Sequence, residues 1–96
     1  MYLNGDGTKA DYAEALKWLT MAAKAGDSLG QFKLGVMYEN AMGVPQDRVT
    51  ALMWYTVSAA QGNEAATKAI DPLKKQMSFM DVGKAQDMAK AFKPAS

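Results

Sequence analysis

The 96-residue chain contains no cysteine and no histidine. Without cysteine there is no disulfide and no thiolate metal centre, which leaves cytosol and periplasm equally open. Without histidine, the commonest general base at neutral pH and the commonest transition-metal ligand are both missing. Charge of one sign is missing too. Eleven Lys and Arg stand against ten Asp and Glu, so no basic stripe marks a nucleic-acid partner. No apolar run approaches the roughly 20 residues that span a bilayer. Met1-Tyr2-Leu3-Asn4 lacks the basic-then-apolar pattern of an export signal, so any such signal is expected on a longer parent chain. Proline is scarce, with three residues, and β-branched residues are few, whereas alanine and methionine are abundant; that balance favours helix. The length allows one domain with a marginal core.

What the chain does have is an internal repeat at an offset of 36 residues. Met1, Tyr2, Asn4 and Gly7 recur as Met37, Tyr38, Asn40 and Gly43. Asp11, Ala15, Leu16, Trp18 and Thr20 recur as Asp47, Ala51, Leu52, Trp54 and Thr56, and Ala23 and Gly26 as Ala59 and Gly62. A gapless register of this kind indicates stacked supersecondary units. Asp11 and Glu14 suggest a capping box that opens a helix running to about Ala25, with Gly26 as a left-handed exit. The apolar face of that helix comprises Tyr12, Ala15, Leu16, Trp18, Leu19, Ala22 and Ala23. The matching helix begins at Asp47 and ends before Gly62. Between them a helix is expected from Ser28 to about Asn40. Gly30 and Gly35 inside it each cost roughly 1 kcal/mol relative to Ala, which close approach of neighbouring helices would explain. A further helix opens at Asn63-Glu64, with Pro72 expected to kink or restart it. A last helix opens at Ser78, paired with Asp81, and buries Val82, Ala85, Ala89 and Phe92 before Pro94.

These residues resemble the SEL-1-like repeat, a relative of the tetratricopeptide repeat. The likeness rests on Leu34-Gly35-Val36-Met37-Tyr38, Gly43-Val44-Pro45-Gln46-Asp47, Ala51-Leu52-Met53-Trp54-Tyr55 and Ser58-Ala59-Ala60-Gln61-Gly62, and on the same pattern between Met1 and Gly26. It implies an all-α fold, an α/α solenoid of helix-turn-helix repeats with a C-terminal capping helix. One domain is expected over 1–96: a partial repeat at 1–27, a full repeat at 28–63, and a terminal half-repeat with capping helix at 64–96. Three positions depart from the pattern. Ala41 stands where the family has glycine, which implies a strained helix exit; Gly30 replaces alanine; Asp71 replaces the glycine that would continue the array. The missing cysteines exclude the disulfide-rich branch, and with it most of the case for penicillin-related activity. The register opens in mid-unit, so the chain is expected to be the C-terminal end of a longer array or a piece that completes its core by association.

Catalytic groups are poorly supplied. Ser28, Ser58, Ser78 and Ser96 have no histidine partner, and the carboxylates read as caps or exposed helix charges. A calcium loop at Asn4-Gly5-Asp6-Gly7 fails, because Tyr2 and Ala13 would fall on ligand positions. No cofactor or metal is expected. Trp18 and Trp54 read as core packing between helices. Two partner surfaces are expected instead. Val49, Met53, Val57 and Ala60 make an apolar stripe where the first unit is polar, to be covered by the C-terminal helix or by a partner. Leu29, Lys33, Val36 and Asn40 lie on the first helix of a unit, which in this family lines the inner curve. The reading is therefore a non-catalytic adaptor that presents a groove to a peptide or helix of another protein. The alternatives are a self-associating structural unit and, less favoured, a hydrolase of cell-wall or β-lactam substrates.

Overall fold

The computed structural model describes residues 9–92, with side chains from Tyr12 onward. Five helices account for these residues: α1 (Lys9–Lys24), α2 (Ser28–Glu39), α3 (Arg48–Ala60), α4 (Glu64–Lys74) and α5 (Phe79–Ala91). The starts of the last four follow from their caps. Asp27 accepts from Leu29 N, Asp47 from Thr50 N, Asn63 from Ala66 N and Ser78 from Asp81 N, each satisfying a donor that a helix start leaves open. The first three exits share one geometry. Gly26, Ala41 and Gly62 all take positive φ, at 100°, 56° and 93°. The next amide reaches back across each turn, Asp27 N to Ala22 O, Met42 N to Met37 O and Asn63 N to Ser58 O. This is the Schellman closure, and at Ala41 it is made by a residue with a Cβ, as the departure from glycine implied.

α3 is the hub of the packing. It lies against α2, α4 and α5, whereas α1 packs against α2. Its Ala51, Leu52, Met53, Trp54, Tyr55 and Ser58 are buried, joined by Ala23, Leu34, Leu73 and Ala85 from the surrounding helices. Both glycines of α2 sit at helix crossings. A Cβ on Gly30 would lie 2.8 Å from Ala22 Cβ, and one on Gly35 would lie 2.7 Å from Tyr55 Cε1 and 3.1 Å from Ala51 O. Buried polar groups tie the same three helices together. Gln31 Nε2 donates to Ala23 O at 3.0 Å, Gln61 Nε2 to Gln31 Oε1 at 2.7 Å, and Ser58 Oγ to Ser28 O at 2.6 Å. The inward-facing amide and hydroxyl are thereby satisfied rather than stranded.

Three expectations change. Asp11 is not the N-cap of α1, which already includes Lys9 and Ala10; both are good helix formers, so the helix extends back past the acid. Pro72 does not restart a helix. It sits in the last turn of α4, which continues to Lys74, where one lost backbone bond costs less than it would in mid-helix. Trp18 is not core: it is 60% exposed, against 6% for Trp54. The two share a repeat position but not their neighbours. α5 packs on α3 and lays Phe92 edge-on against Trp54 at 5.2 Å, and among the described residues no helix does the same for α1. Asn4-Gly5-Asp6-Gly7 and Pro94 lie outside the described residues.

Gly35→Ala is expected to destabilise the fold by about 1–3 kcal/mol, the usual penalty of overpacking, despite its better helix propensity. Gly83→Ala, in α5 with nothing within 4 Å of the added Cβ, is expected to stabilise it by up to about 1 kcal/mol. Urea unfolding of the two variants checks the contrast. Ala41→Gly relieves the left-handed strain at the cost of extra chain entropy, and a net gain of about 0.5–1 kcal/mol should raise the thermal midpoint by several degrees.

Candidate interaction surfaces

α3 and α5 run side by side in the same direction. Val49, at the start of α3, lines one cleft with Met77, Ser78 and Asp81, at the start of α5. At the other end Val57 and Ala60 face Ala89 and Phe92 across a second. The stripe predicted on α3 is thus the surface on which α5 lies. Met53, in its middle, is buried, Val49 and Val57 are half-buried, and Ala60 is exposed. Between the C-terminal halves of the two helices lies an open groove of about 550 Å³. Its walls are Val57, Ala60, Ala89 and Phe92, and its edge carries Gln61, Gln86 and Lys90. Lys90 is its one charged lining residue.

The cleft at the opposite end is polar. Asp47, Arg48, Gln76, Ser78 and Asp81 line it. Arg48 reaches Gln76 Oε1 through Nη2 at 3.5 Å, and its buried Nε has no hydrogen-bond partner. Asp47 works as a cap here: its carboxylate takes Thr50 N at 3.1 Å and Thr50 Oγ1 at 2.7 Å. Burial penalises the charge, but the bonds from Thr50 and Val49 and the nearby Lys84 charge outweigh it, so the acid sits below its ordinary value. Facing acids and a helix-bound arginine make this cleft a joint between α3 and the turn into α5 rather than an anion cradle.

The second predicted row, on α2, is mixed. Leu29 and Lys33 are exposed, Val36 is half-buried against the core, and Asn40 is exposed while its side chain donates to Val36 O at 2.9 Å. No described cavity gathers these four. Of the serines, Ser58 spends its hydroxyl on Ser28 O and Ser78 caps α5. Among the described residues no cluster of acids could hold a metal ion, and no helix is long and apolar enough to cross a membrane. Sequence reasoning missed the groove because its far wall, Ala89 and Phe92, belongs to a helix outside the 36-residue pattern.

The Sel1 repeat model matches residues 1–27 and 28–63, adjoining stretches that together make up well over half of the chain. The chain belongs to the Sel1 repeat family. The first matched unit ends at Asp27 and the second at Asn63, each the cap of a new helix just after a glycine exit. Sel1 repeats are generally protein-interaction modules and are typically non-catalytic. No curated protein matches the chain. In this Sel1 chain the groove straddles the edge of the matched units, built half from the second repeat and half from α5.

Asp47 gives a pH prediction. A carboxyl held lower in the folded chain than its ordinary 3.8 contributes stability that is fully present above that value and is lost as pH falls through the folded one. Asp47→Asn keeps an N-cap but cannot titrate. Wild type is expected to be the more stable at neutral pH, with the difference closing below pH 3.8; thermal melts of both across the acid range check it.

Proposed function

We propose that this chain is a non-catalytic adaptor whose α3–α5 groove holds an apolar side chain of a partner peptide or helix. The observation that carries the reading is the groove itself, an apolar-walled cleft left open between the C-terminal halves of two packed helices. Its volume falls within the range of sites that take a few side chains. Val57, Ala60, Ala89 and Phe92 supply apolar walls that a bound side chain would desolvate, and such desolvated contacts give interfaces most of their affinity. Gln61 and Gln86 offer hydrogen bonds at the edge, and Lys90 favours an acidic residue beside the anchor. Family membership supports the protein-binding role. On this reading the α2 row of Leu29, Lys33, Val36 and Asn40 is flanking surface, and Val49 and Met53 contribute through the α3–α5 joint.

Selection of phage-displayed random peptides against the immobilised chain tests the reading. The expected winners carry a large apolar residue next to Asp or Glu. Ala89→Glu, which blocks the groove from a half-buried position, should weaken their binding at least tenfold while the helical circular dichroism is unchanged. Lys90→Glu should weaken them less and shift the selected charge. Winners indifferent to both substitutions would place the binding surface elsewhere.

A further inference from the structure

Two apolar patches are left uncovered on separate helices. The first combines α1 and α2: Trp18 is 60% exposed, and Met21 and Leu29 are about half exposed. They share one side of the helix pair. Ala22 and Gly30 meet at the crossing, and each of Met21 and Leu29 precedes its contact residue by one. On antiparallel helices that single step, about 100°, turns both side chains the same way, and Trp18 lies one turn before Met21 on that flank. The second patch is the start of α5, where Phe79 is 92% exposed and Met80 81%.

We propose that these patches bind each other between two copies of the chain, with Phe79 and Met80 of one copy seated on Trp18, Met21 and Leu29 of the next. The chain itself shows what this tryptophan position accepts. Trp54, the repeat equivalent of Trp18, is closed by a phenylalanine ring set edge-on, with centroids 5.2 Å apart and planes at 73°, an arrangement aromatic pairs favour. Trp18 is the same residue without that ring, and Phe79 is a ring with almost nothing on it. The two are not packed on each other within one chain: α1 packs on α2, α5 packs on α3, and Phe79 is almost wholly exposed. The surfaces are unlike, so the contact is heterologous and runs head to tail instead of closing into a symmetric dimer. Five side chains fall short of the ~1,200 Å² of a standard stable interface. The association is therefore weak, with a dissociation constant on the order of 0.1–1 mM. It is independent of the groove, none of whose walls takes part.

Sedimentation equilibrium of the full chain from micromolar to millimolar concentration, with Trp18→Glu and Phe79→Glu alone and mixed, tests the proposal. Wild type should gain mass with concentration past the dimer. Each variant alone should stay monomeric, since it has lost one of the two surfaces. Mixed, they should form a one-to-one pair and nothing larger, because the intact Phe79 patch of one fits the intact Trp18 patch of the other. Both substitutions fall on exposed positions, and circular dichroism verifies the fold; Met21→Glu replaces Trp18→Glu should that variant melt early. A wild-type monomer at every concentration, self-association that survives either substitution, or a mixture that remains monomeric overturns the proposal.

Discussion

The fold turns on how closely α3 is seated against α2. At the crossing, Gly35 presents bare backbone to the ring of Tyr55, and a single methyl there would intrude to 2.7 Å. The ring, with almost no exposed surface, stacks at a tilt against Phe32 and donates its hydroxyl to Glu39 Oε1 at 2.6 Å. Burial and the neighbouring carboxylate keep that hydroxyl protonated well beyond its usual range, so it remains a donor at any pH the protein meets. Glu39 lies at the C-terminal end of α2, where a negative charge faces the unfavourable end of the helix dipole, and the phenol offsets part of that cost. Glycine, ring and carboxylate together fix the distance, rotation and axial position of α3. Because α4 and α5 both pack on α3, this contact sets their places as well.

Much of this was legible in the sequence, for reasons that can be named. The glycines inside α2 contradict helix propensity, and a local contradiction of that sort usually marks a tight crossing. The caps were visible because Asp47, Asn63 and Ser78 each act within three residues of themselves. Ala41 was visible as a residue standing where a left-handed exit belongs. In each case the deciding interaction is local or repeats at a fixed period.

What the sequence did not disclose depends on neighbours distant along the chain. Trp18 and Trp54 occupy one position in the repeat, yet among the described residues only Trp54 has a helix on its open side. Sequence symmetry assigns equal roles to equal residues, whereas the neighbours of each unit can differ. The α3 stripe carried the same ambiguity. Covered at Met53 and lining an open groove at Val57 and Ala60, it depends on how far α5 covers α3, which no periodicity within α3 encodes.

The connection between α4 and α5 has one more consequence. Four residues, 75–78, join these helices, where eight, 40–47, join α2 to α3. α5 consequently begins 31 residues after α3 instead of 36. Matched helix to helix, the place of the two tryptophans falls to Ala85, which is fully buried. The third pair of helices keeps the architecture while losing both the spacing and the signature residue by which its family is recognised. Recognition by pattern accordingly stops at residue 63, while the helix pair it overlooks supplies one whole wall of the groove beside α3.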